Sequence, residues 1–340
     1  MNIAHKDITF VVQGTIIGRF DDEIKDRYTF LCLKSIREYF PSSFIILSTW
    51  KGSDVRGLDF DLLVESNDPG VSILGDFSKN GFRQIVSSLE GIKGAYTKYS
   101  VKVRSDLIFK SSNFLKYFEK YSQFPYNYDY KLVEKRVVML TTCNPKRRFK
   151  FPYNAADWFY FGLTKDLLDI FNVDLVSGDY VCRHEYDNQK KKCISPYSSE
   201  QYIWFNFLSK YKKINFKNLR DISNNNIEES EKYFANNTIL LTAKMAGLDW
   251  LKYPGAAYAQ IPCLSNTGLY TFTEYREMLK KYTPSKLFIF PNIMERFVYF
   301  MVYNLRFLIK SRNKKIYKII SYILNRENHE RLKKNNIETY

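Results

Sequence analysis

Polar and charged side chains follow three short apolar runs in the first 110 residues. Gln13 and Gly14 come after the run at 8–12 (ITFVV), and Thr49 and Trp50 come after the run at 44–47 (FIIL). Lys102 and Arg104 lie at the end of the third run, 99–104 (YSVKVR), and Asp106 follows that run. A nucleoside diphosphate needs this mixture, because amide and aromatic groups contact a base, cations contact phosphates and a carboxylate holds a metal.

These side chains need a scaffold that places the ends of the runs together. Buried strands are predicted at 8–12, 44–47, 61–64 and 99–104. Helices are predicted from the capping pair Asp21-Asp22 to Tyr39, where Pro41 follows, and at 80–89. Strands that alternate with helices predict an α/β fold with a doubly wound, mostly parallel sheet, in which ligands bind at the carboxyl ends of the strands.

The middle of the chain gives a less regular pattern. Strands are predicted at 137–141 and at 156–161, with a turn at Gly162 and a short helix from Thr164. Ser198 is expected to cap a helix that reaches residue 209. Residues 210–230 are polar and rich in Asn, which predicts a boundary or a mobile loop.

Composition limits the class of protein. The 340 residues include 52 Lys and Arg against 36 Asp and Glu, a formal net charge of +16, which favours an anionic partner. The five cysteines are scattered and form no CxxC pair, so we expect a reducing, cytoplasmic environment. The N-terminal segment leads directly into a predicted strand, and no run of 18 apolar residues occurs, so we expect neither a signal peptide nor a membrane span.

Other catalytic motifs find little support. Cys182, His184 and Cys193 lack a fourth zinc ligand at a usual spacing, and GxSxG and Walker-type loops are missing from the sequence. The hydrolase, P-loop and zinc-site interpretations are therefore disfavoured.

Several segments together resemble the WavE-type lipopolysaccharide-synthesis family, whose members are glycosyltransferases of bacterial surface polysaccharides. The resemblance covers about residues 7 to 210, and it is carried by QGTI, FIILSTWKG, DPG, NGFRQIVSSLEGI, KYSVKVRSDLIF, DWFYFGLTKDL and SSEQYIW. It implies the nucleotide-sugar transferase fold called GT-A and a nucleotide-sugar donor.

The resemblance also implies roles for residues of the donor pocket. Gln13 and Gly14 would line the nucleotide pocket, and Thr49 and Trp50 would lie near the base or ribose. Three residues at the start of the second helix would face the donor, where the helix N-terminus favours phosphate: Asn80, Arg83 and Gln84.

Metal binding is left open by the same resemblance. The segment Arg104-Ser105-Asp106 occupies the place of the DxD motif, but its first position is an arginine. Asp106 would then hold Mg²⁺ or Mn²⁺ with diphosphate oxygens. Alternatively, Arg104 and Lys102 would neutralise the leaving diphosphate without metal.

Two acids are candidates for the base that accepts the proton of the acceptor hydroxyl. Glu200 opens the helix after Ser198 and resembles the acid of the corresponding late helix in GT-A enzymes, although the same residues are also ordinary cap chemistry. Asp157, beside Trp158, would lie on the acceptor side.

These observations favour a transferase that adds sugar to an oligosaccharide or lipid-linked glycan of lipopolysaccharide or capsule. A nucleic-acid-binding protein is the alternative, because the chain is basic and has 27 Tyr and 27 Phe, but no nucleic-acid motif occurs and we expect no nucleic-acid partner. Residues 1–215 are expected to form the transferase core and 216–290 the rest of the catalytic domain or an acceptor-side subdomain.

Residues 291–340 are expected to form a basic, amphipathic helical tail. Apolar positions recur at three- and four-residue spacing from Phe297 to Ile323, and lysines and arginines lie between them. The pattern favours peripheral docking on the anionic inner face of the cytoplasmic membrane. Packing on the catalytic domain or across a dimer would produce the same pattern.

Overall fold

The structure is a computed structural model. It describes residues 3–70, 80–146, 151–175, 198–216, 221–250 and 268–287, and the single positions 297, 301, 305, 308 and 312.

One seven-stranded sheet forms the centre of the molecule, in the order β3-β2-β1-β4-β7-β6-β8. β7 runs antiparallel to its neighbours β4 and β6, and the remaining neighbours pair in parallel. The predicted α/β fold with a mostly parallel sheet is therefore confirmed. The strands are β1 (Ile8–Gln13), β2 (Phe44–Trp50), β3 (Leu62–Ser66), β4 (Tyr99–Arg104), β6 (Val137–Leu140), β7 (Phe159–Leu163) and β8 (Thr238–Leu241). A separate antiparallel pair joins β5 (Leu107–Phe109) to β9 (Leu248–Trp250).

Helices cover both faces of the sheet. They are α1 (Tyr28–Tyr39), α2 (Gly81–Lys93), α3 (Asn113–Tyr121), α4 (Thr164–Phe171), α5 (Ser199–Ser209), α6 (Asn224–Asn237), α7 (Ala243–Ala246) and α8 (Phe272–Tyr282). Phe10 of β1 packs on Phe40, just after α1, and on Phe109 of β5. Its neighbour Val11 points to the opposite face, where α2 approaches it at Gly91. Within the described ranges, no helix has both the length and the apolar composition needed to cross a bilayer.

Three predicted elements differ from the structure. α1 begins at Tyr28, not at Asp21-Asp22, because the Asp22 carboxylate accepts the Arg19 backbone N–H at 2.6 Å and a short 3-10 helix, Ile24–Asp26, comes first. Gly162 lies inside β7 and not in a turn, and β6 packs so closely against it that a Cβ there would lie 3.0 Å from Val137 Cγ2.

The third difference is the polar segment predicted as a loop. α6 begins within it, capped by the Ser223 side chain, and buries Ile227, Ser230 and Phe234 at three- and four-residue spacing. Ser198 caps α5 in a complete capping box, as expected.

Candidate active site

A cleft with a volume of about 250 Å³ opens at the carboxyl ends of β1 and β4. This is the edge at which a parallel sheet collects its ligands. The cleft brings together many of the residues singled out from the sequence: Gln13, Gly14, Trp50, Asn80, Arg83, Gln84, Arg104, Asp106 and Asp157. Four further residues, to which the sequence assigned no individual role, also line it: Thr15, Ile17, Ser87 and Ser105.

The floor of the cleft consists of the chain segments that follow β1 and β4. The Ser105 backbone N–H donates to the Gln13 carbonyl at 3.1 Å, and the Ser105 hydroxyl donates to the Thr15 carbonyl at 2.8 Å. Gly14 turns the chain between them with a φ of +114°, a conformation that L side chains rarely adopt. The two strand ends therefore form one continuous polar floor.

The first turns of α2 form one wall. Asn80, Arg83, Gln84 and Ser87 lie at three- and four-residue spacing, so they share one face of the helix. The Ser87 hydroxyl donates to Gln13 Oε1 at 2.6 Å, which joins this wall to the end of β1. Helical spacing from Arg83 is the signal that would have found Ser87.

Arg83 is held by Asp68, a residue for which the sequence indicated only a break in the chain after the third strand. Its Nε and Nη2 donate to the two Asp68 oxygens at 2.7 and 2.6 Å, and its Nη1 donates to Asn80 Oδ1 at 3.1 Å. These bonds keep the pKa of Asp68 below its ordinary value. The Arg83 guanidinium is therefore fixed in orientation at the wall of the cleft.

Arg104 and Asp106 form a second bidentate pair. Nε of Arg104 lies 3.0 Å from Asp106 Oδ1, and Nη2 lies 2.6 Å from Oδ2. The Asp106 side chain is 2% exposed and that of Arg104 is 27% exposed. Arg104 also lies over the Trp250 ring, at 5.6 Å from its centroid.

This pairing bears on the expected metal ion at Asp106. Both carboxylate oxygens already accept hydrogen bonds from the guanidinium, whose positive charge lies where a cation would sit. The described part of the chain contains no group of three or more His, Cys, Asp or Glu that would hold a metal ion. Mg²⁺ and Mn²⁺ favour oxygen ligands. Because both oxygens of Asp106 are paired with Arg104, the residues present do not fit such a centre.

Lys102 lies behind the cleft rather than in its lining. It is two residues from the end of β4, about 7 Å along the strand, and is fully buried. Its Nζ donates to the Asp157 backbone carbonyl, with the Phe171 ring centroid at 5.5 Å and that of Tyr160 at 5.9 Å. Burial lowers the pKa of Lys102 to about 7, against the opposing effect of the Asp157 carboxylate. The expected direct contact of Lys102 with a diphosphate is not compatible with this position.

The charges of Asp157 and Arg104 both act on the carboxyl group of Glu200. Asp157 precedes β7, and the Gln84 side-chain amide donates to its backbone carbonyl at 2.9 Å. Its Oδ1 is buried and has no hydrogen-bond partner within the described part of the chain. Burial and the Asp157 charge raise the pKa of Glu200 to about 7, and hydrogen bonds from its own N–H and from Ser198 act in the opposite direction.

Two hydrogen bonds made by the neighbours of Glu200 hold the first turn of α5 in place. Gln201 Nε2 donates to the Pro152 carbonyl at 2.8 Å, and Asn154 Nδ2 donates to Ser198 Oγ at 2.9 Å. The first turn of α5 is thereby attached to the segment that leads into Asp157. Glu200 itself is outside the cleft lining.

The residues after β2 divide between the cleft and the core. Trp50 lines the cleft, and its indole N–H donates to the Thr15 hydroxyl at 3.3 Å. Thr49 is fully buried, and its hydroxyl lies 3.2 Å from that of Ser53. Alternation along the strand separates the two, so Thr49 does not line the cleft, where a contact with base or ribose was expected.

Comparison with known proteins gives one family and several distant structures. The family model for WavE lipopolysaccharide synthesis matches residues 8–296. The comparison with curated proteins found no match.

Three solved structures illustrate the structural matches. S. aureus TarS 1-349 has 12% identity, covering 81% of this chain and 70% of that one, with a TM-score of 0.32. A cytidylyltransferase from Leptospira borgpetersenii has 12% identity, covering 85% and 99%, with a TM-score of 0.32. The 4-diphosphocytidyl-2C-methyl-D-erythritol synthase from Anaerococcus prevotii has 13% identity, covering 67% and 96%, with a TM-score of 0.31. These scores are low, and the fold assignment rests on the strand order described above.

Proposed function

Since the chain belongs to the WavE lipopolysaccharide-synthesis family, we propose that it is a glycosyltransferase. It moves a sugar from a nucleotide-sugar donor to an oligosaccharide or lipid-linked glycan of the bacterial surface. The observation that carries this proposal is the cleft itself, in which two oriented arginines and Asp157 meet at the carboxyl ends of the parallel strands β1 and β4.

The donor nucleotide fits the side of the cleft formed by β1, β2 and α2. The amide of Gln13 and the Trp50 ring supply a hydrogen-bonding group and a flat surface for a base. Arg83 and Arg104 lie on the same lining and supply positive charge for the diphosphate. The sugar then faces Asp157.

The acid pair supplies the base for the acceptor hydroxyl. A general base works best when its pKa lies near the working pH, and the pKa of Glu200 is raised to about 7. Asp157 presents a buried, unpartnered oxygen within the described part of the chain, which suits a hydrogen bond from a sugar hydroxyl. We assign proton acceptance to Glu200 and orientation of the sugar to Asp157.

The decisive test is a ligand screen by thermal shift, followed by a transfer assay. UDP, GDP, CMP and their sugars are each added at about 100 times their dissociation constants, where a native-state ligand adds about 2.7 kcal/mol of stability. A nucleotide sugar that raises the melting temperature and loses its sugar to a glycan acceptor supports the proposal. Stabilisation by oligonucleotides but by no nucleotide sugar overturns it in favour of nucleic-acid binding.

We also propose that the tail, residues 291–340, attaches the protein peripherally to the inner face of the cytoplasmic membrane. Most of it lies outside the described residues, but Phe297, Met301 and Leu305 are helical and 57%, 47% and 56% exposed. Their four-residue spacing places them on one helix face, and the sequence around them is rich in Lys and Arg.

Vesicle co-sedimentation tests the attachment. We expect the full chain to bind vesicles that contain anionic lipid, to bind less at high salt, and to lose binding when Phe297, Met301 and Leu305 are all replaced by Ser. The matched control replaces exposed apolar residues elsewhere, Ile24→Ser and Leu175→Ser. Binding that is indifferent to lipid charge, or unchanged in the tail variant, contradicts the attachment.

A further inference from the structure

Two arginines of the cleft are held in the same way. Asp68 holds Arg83 and Asp106 holds Arg104, in each case through Nε and Nη2 to the two carboxylate oxygens at 2.6–3.0 Å. Both guanidinium groups belong to the lining of one cleft. A guanidinium held on one edge by a carboxylate has a defined plane, and planar guanidinium groups match phosphate oxygens.

The Asp106 carboxylate is already fully paired with Arg104 in this arrangement. It is 2% exposed at the side chain, and each of its oxygens accepts a hydrogen bond from Arg104. A divalent cation at Asp106 would have to displace a guanidinium from a charge-assisted, bidentate pair. Lys102 offers no substitute, because it is fully buried and donates to the Asp157 carbonyl.

We propose that Arg83 and Arg104 bind the donor diphosphate directly, in the place that a divalent cation would occupy, and that Asp68 and Asp106 are positioning residues for them. This inference rests on the proposed function. In the transfer step, the bond from the sugar anomeric carbon to the diphosphate oxygen breaks and its electron pair leaves with the diphosphate. The acceptor oxygen bonds to the same carbon and its proton passes to Glu200. The two guanidinium groups stabilise the charge that develops on the leaving diphosphate.

The test is a titration of the full chain with inorganic pyrophosphate and with UDP, GDP, CMP and their sugars. Each titration is run in EDTA and repeated with Mn²⁺. We expect pyrophosphate and one nucleotide sugar to bind in EDTA, with dissociation constants that Mn²⁺ changes by less than about threefold. Arg83→Gln and Arg104→Gln should each weaken binding by about 10- to 100-fold, the range for a lost hydrogen bond to a charged group.

The chain offers a matched control for these variants. Arg56 pairs with Asp54 through the same two atoms, at 2.9 and 2.7 Å, and the two residues are separated by two positions, as Arg104 and Asp106 are. Arg56 is exposed and outside the cleft lining. Arg56→Gln should leave binding unchanged. Arg104→Lys keeps the positive charge but lacks the planar guanidinium. It is the variant to measure if Arg104→Gln fails to fold. It should weaken binding less than Arg104→Gln does.

The outcomes separate this inference from the proposed function. Nucleotide-sugar binding that requires Mn²⁺ and is lost in Asp106→Asn overturns the arginine role and leaves the transferase proposal intact. Pyrophosphate binding in EDTA that is equally strong in the two arginine variants also overturns it. Pyrophosphate binding that depends on both arginines, without binding of any nucleotide sugar, supports the anion site and overturns the transferase proposal.

Discussion

The Lys102 ammonium donates a hydrogen bond to the backbone carbonyl oxygen of Asp157, a residue that lines the cleft. The same carbonyl accepts a second hydrogen bond from the Gln84 side chain at 2.9 Å. One donor comes from the interior of β4 and the other from α2. Two hydrogen bonds to its main-chain carbonyl therefore hold the residue that carries the Asp157 carboxylate.

Lys102→Met should lower turnover by about 10- to 100-fold, because a displacement of about 1 Å at a reacting group has effects of that size. Donor binding should change little, since Lys102 is absent from the cleft lining. Steady-state kcat and KM, together with donor titration, check this. Lys98→Met, an exposed lysine just before the same strand, is the control. Loss of donor binding with unchanged kcat would contradict the positioning role.

The same lysine should make stability depend on pH. Burial lowers its pKa from 10.5 to about 7 in the folded protein, so between these values the unfolded chain binds more protons than the folded one. Stability from this group therefore rises with pH across that window, by at most about 1.4 kcal/mol per pH unit. Urea unfolding at pH 7, 8 and 9 measures this effect. The free energy of unfolding of the wild type minus that of Lys102→Met should increase with pH. A constant difference would show that Lys102 titrates normally.

Glu200→Gln should lower kcat by about 10²- to 10⁴-fold with donor affinity within about twofold, as expected for a general base. Because the pKa of Glu200 is raised to about 7, the wild-type rate should rise with pH through that value and level off above it. Glu90→Gln, at a surface ion pair on α2, is the control. If Glu200→Gln retains both rate and pH profile while Asp157→Asn loses them, Asp157 is the base.

Gly91→Ala should destabilise the protein by about 1–3 kcal/mol, the usual result of overpacking. A Cβ at Gly91 would lie 2.3 Å from Val11 Cγ1 and 2.9 Å from Ser48 Cβ, so α2 must move away from the sheet. Since α2 carries Arg83 and Gln84, donor binding should weaken as well. Urea unfolding and donor titration measure the two effects. Gly94→Ala, with its nearest contacts at 3.3 Å, should be milder in both.

Much of the fold could be predicted because its central strands are apolar runs with clear ends. β4 has the predicted bounds, and β1 and β2 begin where predicted. The start of α1 was predicted wrongly because the Asp22 carboxylate bonds back to the Arg19 N–H instead of capping a helix. The place of Gly162 was predicted wrongly because it depends on a contact distant in the sequence. For Gly162 that contact is the close approach of Val137 on β6.

The candidate site was predicted in part for a similar reason. Residues at strand ends and on one helix face could be placed near one edge, because topology alone determines this. The pairing of Arg83 with Asp68 and the burial of Lys102 could not, since a sequence does not state which charged groups meet. Both of these findings change the expected chemistry of the donor diphosphate.

The cleft wall joins parts of the chain that are far apart in sequence. Its hydrogen bonds link Gln13 with Ser87 across 74 residues and Gln84 with Asp157 across 73 residues. Such long-range contacts form slowly, because loop-closure entropy opposes them until most of the fold is present. A chain that has folded only through β4 lacks the side of the cleft that contains Asp157. Donor binding should therefore appear last during refolding, and the donor would serve as a kinetic reporter for the docking of β7.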